Sequence, residues 1–417
     1  MDVLPDAVVQ YILSNMTNAR DVATCACVSK QWKESMPFIR SLYFARNSFG
    51  DESTDVDAII GQLIMSAVCL EELIIYCPFS TTSLTSWLLI SSRSLRHLEL
   101  RMDNPMQKKV LPGSITELDC IGWAKGLQTL KLWGVLITHS PNWGEFQSLR
   151  TLEIVGATLK DRALSDTIRA CPNLTNLSLL GCNGLISVTI NLQQLEQCRL
   201  DFCGWDVCSL SISSPKLQLL DIQGCSWIHV DKNHCLKNVS IANNEGKVCK
   251  VDLGKLPGLE FLSIRGVQWC WNAVSSILQC SSEVRHLVMK IEFTGDSNHL
   301  QAFPEIDLVE FFNNHPKLQN FEIHGAMFAA LCQKNSLRSL DSRFTIPCLE
   351  ETVITVRSPL NAEQKMSTIE TLVKCSQRLR RMVIRVSQMK SCHSSADDFF
   401  EDICRFGHMN HKVIQIE

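Results

Sequence analysis

One pattern of apolar and polar positions recurs along most of the chain. In its clearest copy Leu174, Leu177 and Leu179 are apolar, polar residues stand between them, and Gly181 and Cys182 end the phrase. Residues two apart in a strand point to the same side, so the last two leucines form one edge of a core. Other copies begin at Leu127, Leu149, Leu217, Leu259 and Leu318, and looser ones at Leu95, Leu195, Leu236, Val284, Leu337 and Leu379.

These copies predict a solenoid, because a strand this short buries its apolar edge only with a copy stacked on each side. Their spacing of roughly 20–30 residues is typical of leucine-rich repeats. Apolar residues at helical spacing predict a helix before many of the strands. These helices are expected within 56–68, 84–90, 164–170, 274–278, 308–312 and 369–375. We therefore expect an α/β solenoid, a curved leucine-rich-repeat array with a parallel sheet on its concave side.

The middle of the chain, about 184–256, has a different character. No ten-residue helical pattern occurs there, and extra strand-like segments at 185–190, 207–212 and 248–253 lie between the main phrases. Each turn of the solenoid is therefore predicted to carry a second strand on its outer side instead of a helix. After the last repeat, 397–405 predicts an amphipathic helix and 413–416 a final strand. The predicted domains are 1–40, a solenoid over 41–395, and a C-terminal cap over 396–417.

The first forty residues lack the repeat. Val8, Val9, Ile12 and Met16 recur at helical spacing, and further helices are predicted over 20–24 and 27–33. Pro37 ends the third helix. Three short helices make a bundle with a small core, and the apolar surface left over would suit a partner protein.

This segment resembles an F-box. The resemblance rests on Leu4-Pro5, on Ile12-Leu13-Ser14, on Arg20-Asp21-Val22 and on the run from Val28 to Trp32, whose spacing matches the family motif without a gap. Leu13 stands where many members have Phe, a change between apolar side chains of similar volume. The run Ser-Pro-Lys-Leu at 214–217 is similar to plant F-box proteins with repeats.

An F-box followed by leucine-rich repeats resembles a plant substrate receptor of an SCF-type ubiquitin ligase. The resemblance implies that the F-box docks on a Skp-type adaptor, which connects to cullin, and that the repeats hold a protein for ubiquitination. The implied adaptor-binding residues are Leu4, Pro5, Ile12, Leu13, Val22, Val28 and Trp32.

A second hypothesis is a repeat scaffold that binds proteins without a ligase. In that case the helices would only cap the open end of the solenoid. Exposure of Leu4, Ile12, Leu13, Val28 and Trp32 would favour the receptor. Burial of the same side chains against Phe44 and Leu73 would favour the cap.

The strand residues that alternate with the buried leucines are expected on the concave face. They mix both charges with aromatic rings, a composition that suits protein recognition and not a phosphate backbone. The predicted substrate-binding residues are Arg101, Lys131, Trp133, Arg199, Asp201, Asp221, Phe261, Arg265, Glu322 and His324.

Composition narrows the function further. The 417 residues carry a formal net charge of −3, which argues against nucleic acid as a partner. No signal-peptide pattern and no bilayer-length apolar run is present, so we expect no membrane and a nuclear or cytoplasmic location. The 20 cysteines are interpreted as reduced thiols. Cys182, Cys203 and Cys225 are expected at core positions of the repeat.

Candidate chemistry is sparse. Phosphate-binding, metalloprotease and serine-hydrolase motifs are missing, so we predict a non-catalytic protein without a cofactor. An enzyme, the third hypothesis, would need a pocket with converging titratable groups. Cys404, His408 and His411 have a loosely ligand-like spacing, yet a frayed C-terminal cap explains them equally well, and no metal is predicted. Some plant F-box repeat proteins hold a hormone and an inositol phosphate, and neither ligand is predicted here.

Overall fold

The computed structural model describes residues 4–49, 55–102, 118–204, 208–231, 233–293, 304–333, 343–386 and 394–417. The chain forms two compact units, Met1–Cys203 and Gly204–Glu417. Each unit consists of repeated parallel strands joined by helices or by short second strands, so the predicted α/β solenoid is confirmed. The repeat expected at Leu337 lies outside the described residues.

The first unit begins with three short helices. They are α1 (Asp6–Ser14), α2 (Ala19–Ala26) and α3 (Lys30–Glu34), followed by a 3-10 turn at Met36–Phe38. The side chain of Asn18 caps α2 by accepting a hydrogen bond from the backbone N–H of Arg20 at 2.9 Å. Val9 and Leu13 from α1 and Val22 from α2 are fully buried. The small core predicted for the bundle is therefore built from one stripe of each of the first two helices.

Seven parallel strands of the first unit pair in the order β1-β2-β3-β4-β6-β8-β10. They are β1 (Ser41–Phe44), β2 (Glu72–Ile75), β3 (His97–Arg101), β4 (Thr129–Trp133), β6 (Thr151–Val155), β8 (Asn176–Cys182) and β10 (Gln197–Phe202). Between them lie α4 (Val56–Ser66), α5 (Thr81–Ser91), α6 (Asp161–Arg169), the short paired strands β5 (Leu136–Ile137) and β7 (Thr158–Leu159), and β9 (Ser187–Asn191).

The repeat phrase fixes the register of these strands. Its fourth position forms a buried ladder of side chains across the sheet, because each one lies opposite its copy on the next strand. This ladder is Leu42, Leu73, Leu98, Leu130, Leu152, Leu177 and Cys198. Full burial of one such leucine contributes about 1.5–3 kcal/mol, so the stacked copies stabilise one another.

The second unit repeats this arrangement with eight parallel strands in the order β12-β14-β16-β17-β18-β19-β20-β21. They are β12 (Leu219–Gln223), β14 (Asn238–Asn243), β16 (Phe261–Trp269), β17 (His286–Phe293), β18 (Asn320–His324), β19 (Glu351–Thr355), β20 (Arg381–Arg385) and β21 (Ile414–Ile416). The helices are α7 (Trp271–Cys280), α8 (Leu308–Asn314), α9 (Gly325–Gln333), α10 (Ala362–Cys375) and α11 (Ser394–Met409).

All three predicted outer strands are present: β9 lies in the first unit, and β11 (Ser209–Ser213) and β15 (Lys250–Asp252) lie in the second. In the second unit a further strand, β13 (Trp227–Val230), lies between β11 and β15 and pairs in parallel with both. Within 208–231 and 233–256 the structure contains no helix, as the pattern indicated. The middle strand, β13, was not predicted; it has only four residues and begins three residues after Gly224, the glycine that ends the phrase at Leu217.

Two features differ from the sequence-based expectation. The helix α9 begins at Gly325, a glycine that the repeat phrase assigns to a sharp turn; Gly325 does adopt φ +39° before the helix continues. Cys203, expected in the core, is exposed. The register shifts after Leu200, so that Phe202 pairs with Cys182 and is itself buried. Cys182 and Cys225 are buried, as predicted.

Candidate functional site

Two surfaces carry the predicted binding residues, and the first is the helix bundle. Leu4 is 44% exposed and Val28 65% exposed, and Pro5 is exposed as well. Val8 and Tyr11, three residues apart on α1, are also exposed, and Leu4 lies two residues before the start of that helix. We call Leu4, Val8, Tyr11 and Val28 the bundle patch. An isolated bundle of this size leaves such side chains in water unless a partner covers them.

Hydrogen bonds hold the start of the chain beside the third helix. The side-chain amide of Gln31 donates to the carbonyl oxygen of Leu4 at 2.6 Å and to Asp6 Oδ1 at 2.7 Å. The backbone at Leu4 is therefore placed next to α3, which follows directly after Val28.

The remaining predicted adaptor residues lie deeper. Ile12 and Trp32 are half-buried, whereas Leu13 and Val22 are fully buried. Leu13 and Val22 thus pack inside the bundle. A substitution at either residue would change the affinity for a partner through the shape of the bundle. Their predicted direct contact with an adaptor stays a prediction.

The bundle also packs onto the first strand. The backbone N–H of Tyr43 donates to the carbonyl oxygen of Thr17 at 2.7 Å, and Asn18 forms a parallel bridge with Tyr43. The helices therefore cover the edge of β1, as the cap hypothesis expects. Because the bundle patch stays exposed, capping and partner binding are compatible.

The second surface is the side of each sheet that carries the alternate, partly exposed strand residues; we call it the open face. In the first unit five of its side chains form a connected group, the Glu99 cluster, which consists of Tyr76, His97, Glu99, Lys131 and Trp133. Tyr76 donates a hydrogen bond to Glu99 Oε1, and Trp133 Nε1 donates to the same oxygen at 3.1 Å. Lys131 Nζ lies 3.8 Å from Glu99 Oε2.

The ionisation of Glu99 follows from these neighbours. Burial alone would raise the pKa of its carboxyl group, but the hydrogen bonds and the charge of Lys131 outweigh burial and lower the pKa to about 2. Burial and the hydrogen bond to Glu99 raise the pKa of Tyr76 above its ordinary value. A carboxylate with so low a pKa is a poor general base at pH 7, so the cluster suits binding and not proton transfer.

Aromatic and arginine side chains surround this cluster. Tyr43 packs edge-to-face on Tyr76 with ring centroids 5.6 Å apart, and the Arg101 guanidinium carbon lies 5.9 Å from the Trp133 ring centroid. Tyr, Trp and Arg carry much of the binding energy in protein interfaces. Sequence reasoning found Arg101, Lys131 and Trp133 but missed Tyr43 and Tyr76. Tyr43 occupies an alternate position of β1, and Tyr76 continues the alternation one residue past the end of β2.

In the second unit two of the predicted residues, Glu322 and His324, contact each other. Glu322 Oε1 lies 2.7 Å from Lys290 Nζ, 3.2 Å from His324 Nε2 and 3.3 Å from Arg385 Nη1. Burial alone would raise the pKa of Glu322, but the hydrogen bond and charge of Lys290 lower it. Burial lowers the pKa of His324, so its ring is neutral at pH 7 and contributes a hydrogen bond without a charge.

The other predicted open-face residues are not part of these two groups. Arg199 and Arg265 are exposed, whereas Asp201, Asp221 and Phe261 are half-buried. Their assignment to substrate binding stays a prediction.

The C-terminal Cys and His residues do not converge. Cys404 lies within α11, and His411 Nδ1 contacts the His408 carbonyl oxygen at 3.3 Å. Within the described ranges no group of His, Cys, Asp and Glu side chains could hold a metal ion. The cysteines of the same ranges are not joined in disulfides. None of the described helices is both long and apolar enough to cross a membrane.

Comparisons with known proteins match both parts of the chain. A model described as F-box-like matches residues 1–40, and one described as the LRR domain of At1g61320/AtMIF1 matches residues 65–341. The F-box protein At1g10780 of Arabidopsis thaliana is 58% identical over 419 residues, covering 100% of both chains. The F-box/LRR-repeat protein At3g26922 of the same plant is 27% identical, covering 53% of this chain and 74% of its own. For the F-box/LRR-repeat protein At1g67190, also from Arabidopsis thaliana, the identity is 25%, with 54% and 55% covered.

Proposed function

Because the chain belongs to the F-box/leucine-rich-repeat family, we propose that it is the substrate-recognition subunit of an SCF-type ubiquitin ligase. In this role the bundle binds a Skp-type adaptor, the adaptor connects to cullin, and the open face of the repeats holds a target protein. The subunit does no covalent chemistry; it raises the concentration of the target beside the conjugating enzyme. The role would be carried out in the nucleus or the cytoplasm.

The bundle patch is the observation that supports this proposal most directly. Leu4, Tyr11 and Val28 are exposed even though the same bundle already packs on β1. Burial of one such apolar side chain in an interface is worth about 1.5–3 kcal/mol. A few of them are enough to anchor an adaptor, provided that the rest of the surface fits.

The proposal is tested by measuring the affinity of the full chain for a purified plant Skp-type adaptor. The test variant is Val28→Asp, which puts a charge into the bundle patch. The matched control is Val68→Asp, because Val68 is 70% exposed in the same unit but lies outside the bundle. Burying an unpaired carboxylate costs several kcal/mol, so we expect Val28→Asp to weaken binding about 100-fold or more.

The control should bind as the unchanged chain does, and both variants should unfold at the same denaturant concentration as that chain. If the unchanged, folded chain does not bind the adaptor, the ligase role is wrong and the repeat-scaffold alternative takes its place. If Val28→Asp and Val68→Asp both bind normally, the adaptor uses another surface and the bundle patch has no part in docking.

The binding of a target protein to the open face needs a measurement of its own, because adaptor binding does not report on it. The Glu99 cluster, which includes Trp133 and has Arg101 at its rim, is the part of the open face in the first unit that best resembles a protein-binding centre. A Trp133→Ala variant should keep adaptor affinity and lose ubiquitination of its target in a reconstituted ligase. Loss of adaptor binding in that variant would contradict the division between bundle and repeats.

A further inference from the structure

Five residues of the second unit lie side by side at one level of the open face. Arg265 on β16 is directly opposite Lys290 on β17, and His324 on β18 is opposite Thr355 on β19, which is opposite Arg385 on β20. Lys290 and His324 each follow the paired residues of their own strands, so they continue the same level. We call Arg265, Lys290, His324, Thr355 and Arg385 the basic row.

The acids near the row neutralise only part of it. Glu322, which lies one level away, contacts Lys290, His324 and Arg385 with a single carboxylate. Arg385 has a second acidic contact, since its Nε lies 2.9 Å from Glu417 Oε2. Acidic side chains therefore fix the positions of Lys290 and Arg385 within the row.

The Arg265 end of the row carries a cation without an acid. The Arg265 guanidinium donates to Ser240 Oγ at 3.1 Å, and among the described residues it has no acidic partner. Its opposite neighbour is the ammonium of Lys290. Like charges directly across a strand pair repel each other, so an anion placed between them would relieve an existing repulsion.

Thr355 adds an unusual polar group in the middle of the row. Its residue is 1% exposed, and its hydroxyl oxygen has no hydrogen-bond partner in the described part of the chain. Buried hydroxyl groups nearly always find a partner. The Thr355 hydroxyl is thus an unsatisfied polar group at the level of the row, between His324 and Arg385 on the neighbouring strands.

We propose that the basic row binds an extended acidic segment of the target protein. This inference rests on the proposed role as a substrate receptor. Arg265 and Arg385 are four strands apart, which corresponds to about 19 Å at the usual strand spacing. An extended segment covers that span with about six residues, so one carboxylate can reach the Arg265–Lys290 pair while another reaches Arg385.

The test uses the full-length chain and a fluorescently labelled peptide of alternating Glu and Ser, about eight residues long so that it spans the row. Binding is followed by fluorescence anisotropy at low ionic strength, and a second peptide carries Gln in place of every Glu. The test variant is Arg265→Glu, whose side chain is exposed and, among the described residues, donates a hydrogen bond to the hydroxyl of Ser240. The matched control is Arg381→Glu, an exposed residue on the same face of β20 but at another level of the sheet.

We expect the Glu peptide to bind the unchanged chain and the Gln peptide to bind at least about ten-fold more weakly. Arg265→Glu should weaken binding of the Glu peptide about ten-fold, because an attraction becomes a repulsion, whereas Arg381→Glu should change it less than about two-fold. Equal weakening by both variants would overturn the inference, since it would indicate a general charge effect without a defined row. Equal binding of the Gln peptide would overturn it too.

Inorganic phosphate and inositol hexakisphosphate serve as competitors. If either displaces the Glu peptide and binds more tightly than it in an Arg265-dependent manner, the row is a site for a free polyanion and the peptide inference is wrong. Adaptor affinity is measured on the same preparations. Adaptor binding without peptide binding would refute this inference alone, whereas failure to bind the adaptor would count against the ligase role independently of the peptide result.

Discussion

Replacement of Glu99 by Gln should reveal how much the buried carboxylate stabilises the first unit. Gln keeps the size of the side chain and an oxygen that accepts hydrogen bonds from Tyr76 and Trp133. It removes the negative charge that faces Lys131 and His97, whose Nε2 lies 3.7 Å from Glu99 Oε2. The variant therefore separates the charge of the cluster from its shape.

The lowered pKa of Glu99 gives the size of its contribution to the free energy of unfolding. A fall from 4.5 to about 2 corresponds to an upper value of about 3.4 kcal/mol of stability at neutral pH, since one pKa unit is 1.36 kcal/mol. Water reaches the rim of the cluster and screens part of this effect, so we expect Glu99→Gln to lower the free energy of unfolding by about 2 kcal/mol at pH 7.

The stabilisation by Glu99 should decrease as the pH falls. Because the pKa of Glu99 is lower in the folded state, its stabilisation is fully present above the ordinary pKa near 4.5 and is lost as the pH falls towards about 2. The difference between the unchanged chain and Glu99→Gln should thus be constant from pH 7 to pH 5. Below that it should shrink by up to about 1.4 kcal/mol per pH unit.

The assay is urea denaturation at several pH values, followed by tryptophan fluorescence, with Glu196→Gln as the control. Glu196 is an exposed acid just before β10, so its replacement should change stability by less than about 0.5 kcal/mol at every pH. The reasoning is refuted if Glu99→Gln is as stable as the unchanged chain at pH 7. A difference that stays the same at pH 7 and pH 3.5 would refute it as well.

Three further outcomes follow from the packing. Gly266→Ala should lower stability by about 3 kcal/mol or more in a denaturation experiment, because at φ +106° a Cβ would collide with the Asn243 carbonyl oxygen; near-normal stability would contradict this close approach. Cys203 is exposed and should react with a maleimide reagent in the native protein. Burial raises the pKa of Cys198 to about 12, so this thiol should react only after unfolding. Peptide mass spectrometry would identify which cysteines are labelled. Leu130→Ala in the buried ladder should cost about 2–5 kcal/mol, and a loss below 1 kcal/mol would mean that the ladder does not carry the stability of the sheet.

Most strands could be predicted because the repeat phrase is a local rule applied many times. Each copy indicates which side chains are buried, and the stacking of the copies then fixes the register between neighbouring strands. The helix α9 escaped this reasoning because its sequence, Gly325–Gln333, is apolar on nearly every side and shows no amphipathic period. Cys203 was misplaced because β8 has one more residue than β10 at this point: two residues separate Leu179 from the buried Cys182, whereas only one separates their partners Leu200 and Phe202. Phe202 therefore takes the buried position opposite Cys182, and Cys203, the equivalent of Cys182 in the repeat phrase, is exposed.

The composition of the open face could also be predicted, but its pairings could not. Alternation along a strand places Lys131, Trp133, Glu322 and His324 on that face. Whether two of them meet depends on the register between strands that are separated by a whole repeat. Glu99 on β3, for instance, contacts Tyr76, which directly follows β2, and Lys131 and Trp133 on β4.

The open faces of the two units differ in the groups that surround their central carboxylates, Glu99 and Glu322. Glu99 accepts hydrogen bonds from two aromatic side chains and faces a single lysine, so the surface around it is aromatic and nearly neutral. Glu322 instead gathers Lys290 and Arg385 while Arg265 has no acid among the described residues. Binding at the first surface should therefore depend little on salt, whereas binding at the basic row should weaken as the ionic strength rises, because screening acts on charges near water and not on aromatic burial.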